Sequence, residues 1–141
     1  MKVLIIGGVA AGTKTAAKLK RLNRSMDVTI LTKDRDISYA GCGLPYYVGG
    51  AIESKGQLIV NTPAQYEALT GVQVLTGKEA CGLDAEGKKV QVKNLADGSD
   101  ETYAYDALVI ATGASSIVPK MDGASLKGVF KLRVPDDAID M

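Results

Sequence analysis

Two short stretches of this 141-residue chain carry residue types and spacing that can do chemistry. The first is the turn Gly7-Gly8-Val9-Ala10-Ala11-Gly12. Against the pattern G-x-G-x-x-G, the first and third glycines are present and Val9 stands at the middle one. The turn follows an aliphatic run, Val3 to Ile6, and opens a helix-forming segment, which is the context in which such a turn cradles a dinucleotide diphosphate. The first Gly makes the tight turn, and Gly12 lets the helix pack closely on the strand. The helix expected from Ala10 has no Ser, Thr, Asp or Asn cap and no acid in its first turn. Its free N–H groups and positive dipole end therefore lack an internal partner, and a diphosphate supplies one. A glycine turn that merely packs is the plain alternative. A Walker A loop fits poorly, because in Gly12-Thr13-Lys14 the Lys falls one position late, about 100° around the helix. About 20 residues past Gly12, where dinucleotide folds place an acid for the ribose hydroxyls, stands Thr32. Its hydroxyl bonds less strongly than a carboxylate. Lys33 and Arg35 can alternatively meet an NADP phosphate, or belong to a solvated charged loop.

The second stretch is Ser38-Tyr39-Ala40-Gly41-Cys42-Gly43-Leu44-Pro45-Tyr46-Tyr47. Small neighbours leave the Cys42 sulfur approachable. Pro45 marks the first turn of a helix, whose positive dipole end favours an anionic sulfur. Cys81, in an alternating strand, reads as an apolar filler, and taken alone Cys42 admits the same reading. On the first helix Lys14, Lys18 and Arg21 recur at i, i+4 and i+7, one basic stripe. Such a stripe can hold phosphates or simply face water.

These residues need elements to position them. Val3 to Ile6, Val28 to Leu31, Val72 to Leu75 and Leu108 to Ala111 read as strands of a parallel sheet buried on both faces. The helix from Ala10 to about Asn23, with Gly12, Ala16, Leu19 and Leu22 on its packing face, completes a right-handed βαβ unit. Thr62-Pro63-Ala64-Gln65 is a capping box opening a helix that closes at Gly71. From Ala80 to Tyr105 the pattern alternates, with hairpin signals at Glu86-Gly87 and Asp97-Gly98. A short helix is expected after Cys42 and another from Pro135. That last helix lacks a C-cap, which implies an N-terminal piece of a longer chain.

Composition narrows the function further. The length suits one domain. With 17 basic and 16 acidic residues, net charge +1, the chain has no general electrostatic reason to coat nucleic acid or an anionic membrane. No apolar run approaches the roughly 20 residues of a membrane span, and the opening aliphatic run stops at Gly7-Gly8, too soon for a signal peptide. The absence of His excludes Ser-His-Asp or Cys-His catalysis and His-ligated metal within this chain. Two cysteines with no CxxC pattern point to a reducing, cytoplasmic setting.

Asp34-Arg35-Asp36-Ile37-Ser38-Tyr39, followed by Cys42 and Leu44-Pro45-Tyr46, resembles the flavin-dependent single-cysteine disulfide reductases, the family of coenzyme A-disulfide reductase and its NADH oxidase and polysulfide reductase relatives. The glycine turn, including Val9, is similar to that family's turn. So is Tyr105-Asp106-Ala107-Leu108-Val109-Ile110-Ala111-Thr112-Gly113. The resemblance covers essentially the whole chain. It implies an α/β fold, a Rossmann-type FAD-binding domain with a parallel sheet and a β-meander crossover, over residues 1–141. The NAD(P)H and dimerisation domains of a homodimeric reductase would lie outside it.

The resemblance also implies site residues. Gly7, Gly8, Val9, Ala10, Ala11 and Gly12 would take the FAD diphosphate, Thr32 and Lys33 the adenosine, Ala80 the adenine, and Ala111, Thr112 and Gly113 the flavin. Cys42 would be the redox residue. Two-cysteine relatives carry a second Cys where Tyr47 stands, so Cys42 would cycle through a mixed disulfide, persulfide or sulfenate. Lys14, Lys18, Arg21 and Ser38 occupy positions whose counterparts contact coenzyme A. Arg21 and Ser38 match the family; Lys14, Lys18, Gly41 and Thr32 depart from it. Electrons would pass from NAD(P)H to FAD and then to a disulfide, persulfide or oxygen. A non-catalytic dinucleotide-binding module and an NADP-dependent dehydrogenase domain are the alternatives, and the long Ala80–Tyr105 meander argues against the second.

Overall fold

In the computed structural model, which describes Met1–Met141, the elements run β1 (Lys2–Ile6), α1 (Ala10–Leu22), β2 (Asp27–Leu31), α2 (Leu44–Val48), α3 (Pro63–Thr70), β3 (Gln73–Leu75), β4 (Lys78–Asp84), β5 (Lys89–Asn94), β6 (Asp100–Ala104), β7 (Ala107–Ile110) and α4 (Pro135–Ile139). They divide between two compact units. One comprises Met1–Ser38 and Asn61–Thr112, the other Tyr39–Val60 and Gly113–Met141.

The first unit is an α/β sandwich. Its parallel sheet has the order β3-β2-β1-β7, with Ile5 facing Ile30 on one side and Val109 on the other. The β1 sequence is aliphatic at every position after Lys2 because both sheet faces are covered. Val3 and Ile5 join Val28 and Ile30 beneath Ala16 of α1 and Tyr66 of α3. Leu4 points the other way, with Leu31, and meets Val90 and Val92 of the antiparallel meander β4-β5-β6. The capping box forms as expected. The Thr62 hydroxyl accepts from the Gln65 N–H at 3.3 Å, the Gln65 side chain accepts from the Thr62 N–H at 2.9 Å, and α3 ends at Gly71 with φ +70°.

Two expectations fail. Leu22 is 68% exposed. The chain leaves the helix at Asn23, and Met26 packs against the core cluster instead. Cys81 is exposed, not a buried filler. A bulge between Ala80 and Gly82 breaks the alternation of β4, and the inward positions of the meander belong to Val90 and Val92 of β5.

In the second unit, Tyr39 bridges Ile59, the Ala40 N–H donates to the Leu58 carbonyl at 2.8 Å, and a 3-10 turn at Gly41–Gly43 leads into α2. Leu44, Leu58 and Ala138 of α4 form its small core. The Asp137 carboxylate caps α4, accepting from the N–H groups of Arg133 and Val134 at 2.8 and 3.0 Å. Lys55 pairs with Asp136 at 3.1 Å. No helix is long and apolar enough to cross a membrane.

The meander carries a titratable lock. Burial against the Leu4–Val90 cluster, then the hydrogen bond donated to Glu101 and that carboxylate's charge, push the Tyr103 hydroxyl up to about 12. Unfolded tyrosine releases its proton near pH 10. The native state therefore holds a proton that the unfolded state gives up, and this stabilisation is complete below about pH 10 and lost as pH rises toward about 12. We expect the urea midpoint to fall across that window and Tyr103→Phe to flatten part of the fall, as followed by far-UV circular dichroism. An identical pH profile in the variant would contradict the assignment.

Candidate functional site

Three strands of the parallel sheet end together. β1 runs into Gly7, β2 into Thr32 and β7 into Ala111. In open α/β sheets this carboxyl edge is where ligands bind. The Gly7 N–H continues the ladder, donating to the Leu31 carbonyl at 2.8 Å, while its φ of +114° turns the chain away from the sheet. A side chain at Gly7 would overlap the Ala111 carbonyl oxygen, and one at Gly12 would overlap the Gly7 carbonyl oxygen. The first turn of α1 therefore lies directly on the end of β1.

That helix start is bare. Val9 occupies the N-cap with no side-chain hydrogen bond to the first turn, and no acid lies there. Thr13, buried and unremarked by sequence pattern, donates its hydroxyl hydrogen to the Val9 carbonyl. Tyr66 reaches from α3 to donate to the Thr13 carbonyl. Burial pushes the Tyr66 hydroxyl upward, opposed by its backbone hydrogen bond at Ala17 and the charge of Arg21. These contacts fix the helix from its flank and leave its N–H end to a ligand. A backbone cradle closed to side chains, with uncapped amides and no acid in the first helical turn, fits the diphosphate of a dinucleotide such as FAD.

The other candidate residues of the first unit differ in burial and partners. Thr32 is 5% exposed, its N–H bonded to the Leu75 carbonyl at 3.0 Å and its carbonyl to the Lys78 N–H at 2.9 Å. Its hydroxyl accepts from the Asp34 N–H at 3.3 Å, which leaves the hydroxyl hydrogen to donate. Lys33 is exposed, 3.9 Å from the Glu79 carboxylate. Ala80 is half-buried at the bulge in β4, and Thr112 is exposed just beyond Ala111. Lys14, Lys18 and Arg21 all lie on the solvent face of α1. Ser38, half-buried, has φ +50°.

The remaining candidate residues, Cys42 and Gly113, belong to the second unit. Cys42 sits exposed in the 3-10 turn, with a free thiol. The helix that follows it, α2, starts with Leu44 and Pro45 and spans five residues. Cys81 also carries a free, exposed thiol, with its sulfur 3.4 Å from the Gln91 carbonyl. Gly113 has φ +71°, and Arg133 donates from Nε to the neighbouring Ala114 carbonyl at 2.9 Å.

Fold and carboxyl-edge cradle define a protein of the dinucleotide-binding α/β class. The pyridine nucleotide-disulphide oxidoreductase family model matches residues 1–141, and the chain belongs to that family. It is 36% identical to an NADH oxidase of Methanocaldococcus jannaschii, over 97% of this chain and 30% of that protein. It is 36% identical to an NAD(P)H coenzyme A polysulfide/persulfide reductase of Pyrococcus horikoshii, over 98% of this chain and 30% of that one. The crystal structure of reduced Bacillus anthracis CoADR-RHD superposes with a TM-score of 0.95 at 33% identity, covering 99% of this chain and 25% of that chain. The chain thus spans about 30% of the length of the curated relatives it matches.

The cradle is a steric statement and can be tested as one. Gly12→Ala forces a methyl group into the Gly7 carbonyl, and we expect a loss of roughly 3 kcal/mol in urea unfolding, in the range of severe overpacking. Gly41→Ala, whose added methyl meets only a Tyr39 ring carbon at 3.9 Å, should change stability by less than about 0.5 kcal/mol. Equal effects at the two positions would contradict the close approach at Gly12.

Proposed function

We propose that this chain is the FAD-binding portion of an NAD(P)H-dependent flavoprotein reductase that acts on a disulfide, persulfide or oxygen through a single redox cysteine, Cys42. The observation that carries this reading is the uncapped start of α1, laid on Gly7 at the carboxyl edge of the sheet. The names of the relatives support it, since an NADH oxidase and a coenzyme A polysulfide/persulfide reductase are 36% identical to this chain along nearly its whole length. The complete protein would be a cytoplasmic homodimer, with residues 1–141 as its N-terminal domain.

Each residue then has a task. Gly7, Gly8, Val9, Ala10, Ala11 and Gly12 offer backbone N–H groups and the helix dipole to the diphosphate. Thr32 donates its free hydroxyl hydrogen to the adenosine ribose, and Lys33 and Ala80 flank the adenosine. Ala111, Thr112 and Gly113 lie along the flavin. Lys14, Lys18 and Arg21 present three cations to the phosphates of a coenzyme A-like thiol, with Ser38 as a further polar contact. The deprotonated Cys42 sulfur attacks one sulfur of a bound disulfide. A Cys42–substrate disulfide forms, the original S–S bond breaks, and one thiolate departs and takes up a proton from solvent. With Tyr47 where two-cysteine relatives carry their second cysteine, no thiol stands at that position to resolve this mixed disulfide. Bound flavin, reduced by NAD(P)H, would supply the two electrons that cleave the Cys42–substrate disulfide, which returns Cys42 to its thiol and releases the second substrate thiol, with protons taken from solvent.

Two substitutions in the full-length protein test the reading. Cys42→Ser should abolish disulfide and persulfide reduction while NAD(P)H still bleaches the flavin absorbance in stopped flow. Full turnover with Ser at this position would remove Cys42 from the mechanism. Thr32→Glu should tighten FAD by about fivefold, the weight of about 1 kcal/mol for one charge-assisted hydrogen bond. Unchanged or weaker affinity in fluorescence titration would show that Thr32 is not the ribose residue.

A further inference from the structure

In dinucleotide folds the residues at the end of the second strand decide which adenosine is accepted. A carboxylate there bonds the ribose hydroxyls, and a cation nearby takes up a 2′-phosphate. This chain has no acid at Thr32, and the cations Lys33 and Arg35 follow close behind. By that rule alone the site suits a 2′-phosphorylated nucleotide.

The fold brings a carboxylate to the same place from another strand. The β3–β4 turn clasps Thr32 on both sides of its peptide. The Thr32 N–H donates to the Leu75 carbonyl at 3.0 Å, and the Thr32 carbonyl accepts from the Lys78 N–H at 2.9 Å. Gly77, with φ +66°, makes the turn between them. The clasp sets Glu79 beside the end of β2, with its carboxylate 3.9 Å from the Lys33 Nζ. Successive side chains of a strand point to opposite faces. Lys78 takes one face of β4, paired with Glu101, and Glu79 takes the other. Across the ladder Glu79 faces Lys93, whose Nζ is paired with Asp100 at 3.1 Å. Lys33 is thus the cation that the Glu79 carboxylate meets. Arg35 stands between Asp34 and Asp36 in the chain. The two cations after Thr32 are therefore set among three carboxylates, and no positive charge is left over for a phosphate dianion. All of these residues belong to the first unit.

We infer that Glu79 is a specificity-determining residue of the adenosine end, whose carboxylate neutralises Lys33 and turns away a 2′-phosphate, so that the cradle takes an adenine dinucleotide with an unphosphorylated ribose. The inference rests on the reading of the Gly7–Gly12 turn as the FAD site and deepens it, because FAD and NADP differ at this ribose. The Lys33 and Glu79 side chains are 60% and 46% exposed, so their pair adds little to stability. Its consequence lies in the charge a ligand meets. A 2′-phosphate drawn to Lys33 brings negative charge up to Glu79, and like charges brought together cost binding. A free ribose diol carries no charge and meets no such penalty.

The test uses full-length protein from which FAD has been released. ADP and its 2′-phosphorylated form compete with FAD for rebinding, followed by the change in flavin fluorescence. Competition with FAD confines the readout to the cradle, apart from any separate nicotinamide site, and the quantity read is the ratio of the two inhibition constants. The wild type is expected to favour ADP by about tenfold, Glu79→Asp to keep that preference and Glu79→Gln to lose it, on the scale of one ion–ion interaction near a protein surface. Adding Lys33→Gln to Glu79→Gln should weaken the 2′-phosphorylated competitor again. A wild type without the preference, or a preference unchanged in Glu79→Gln, would overturn the inference. So would a gain in 2′-phosphate binding that survives the loss of Lys33. A wild type that rebinds no FAD overturns the reading of the turn itself.

Discussion

The contact between Gly12 and the Gly7 carbonyl oxygen is the constraint on which the first unit depends. It brings the first turn of α1 onto the end of β1 at a distance that no side chain tolerates. Because the helix sits so close, Ala16 reaches Ile5 and Ile30 in the core, and the helix dipole points out over the carboxyl edge of the sheet. A larger residue at either glycine would lift the helix, open the core and remove the amide cradle together. Packing and ligand chemistry here share the same atoms.

The two faces of the sheet divide the work. On one, α1 and α3 meet through the Tyr66 hydroxyl and the Thr13 carbonyl, which anchors the helix without using its N–H end. On the other, the meander covers Leu4 and Leu31 with Val90 and Val92 and ties its outer strands with the Lys78–Glu101 pair. At the β3 edge, Glu67 accepts the outward Val74 N–H at 2.7 Å, so a carboxylate occupies a group that another strand would otherwise seek. Nothing comparable borders β7, whose Ile110 is 63% exposed.

Much of this was legible in the residues. The aliphatic runs marked the parallel strands because a strand buried on both faces must be apolar at every position. The Thr62-Gln65 box and Gly71 marked α3 because capping and the left-handed stop are local chemistry. The glycine turn disclosed both its shape and its missing cap. What was not legible depended on register and on distant partners. Leu22 matched the helical spacing, yet the chain leaves α1 there and Met26 fills in. Cys81 matched strand alternation until a bulge turned it outward. Thr13 gave no pattern signal, since it matters through a buried hydroxyl bonded within its own helix.

The occupant of the Gly7–Gly12 cradle is the most direct discriminator. The measurement is the identity and amount of nucleotide released by heat from purified full-length protein, read by mass spectrometry with the absorbance spectrum taken before release. A flavin spectrum and stoichiometric FAD are the predicted result. Protein that carries NADP, or that takes up no FAD when it is offered, would contradict the assignment of the Gly7–Gly12 turn.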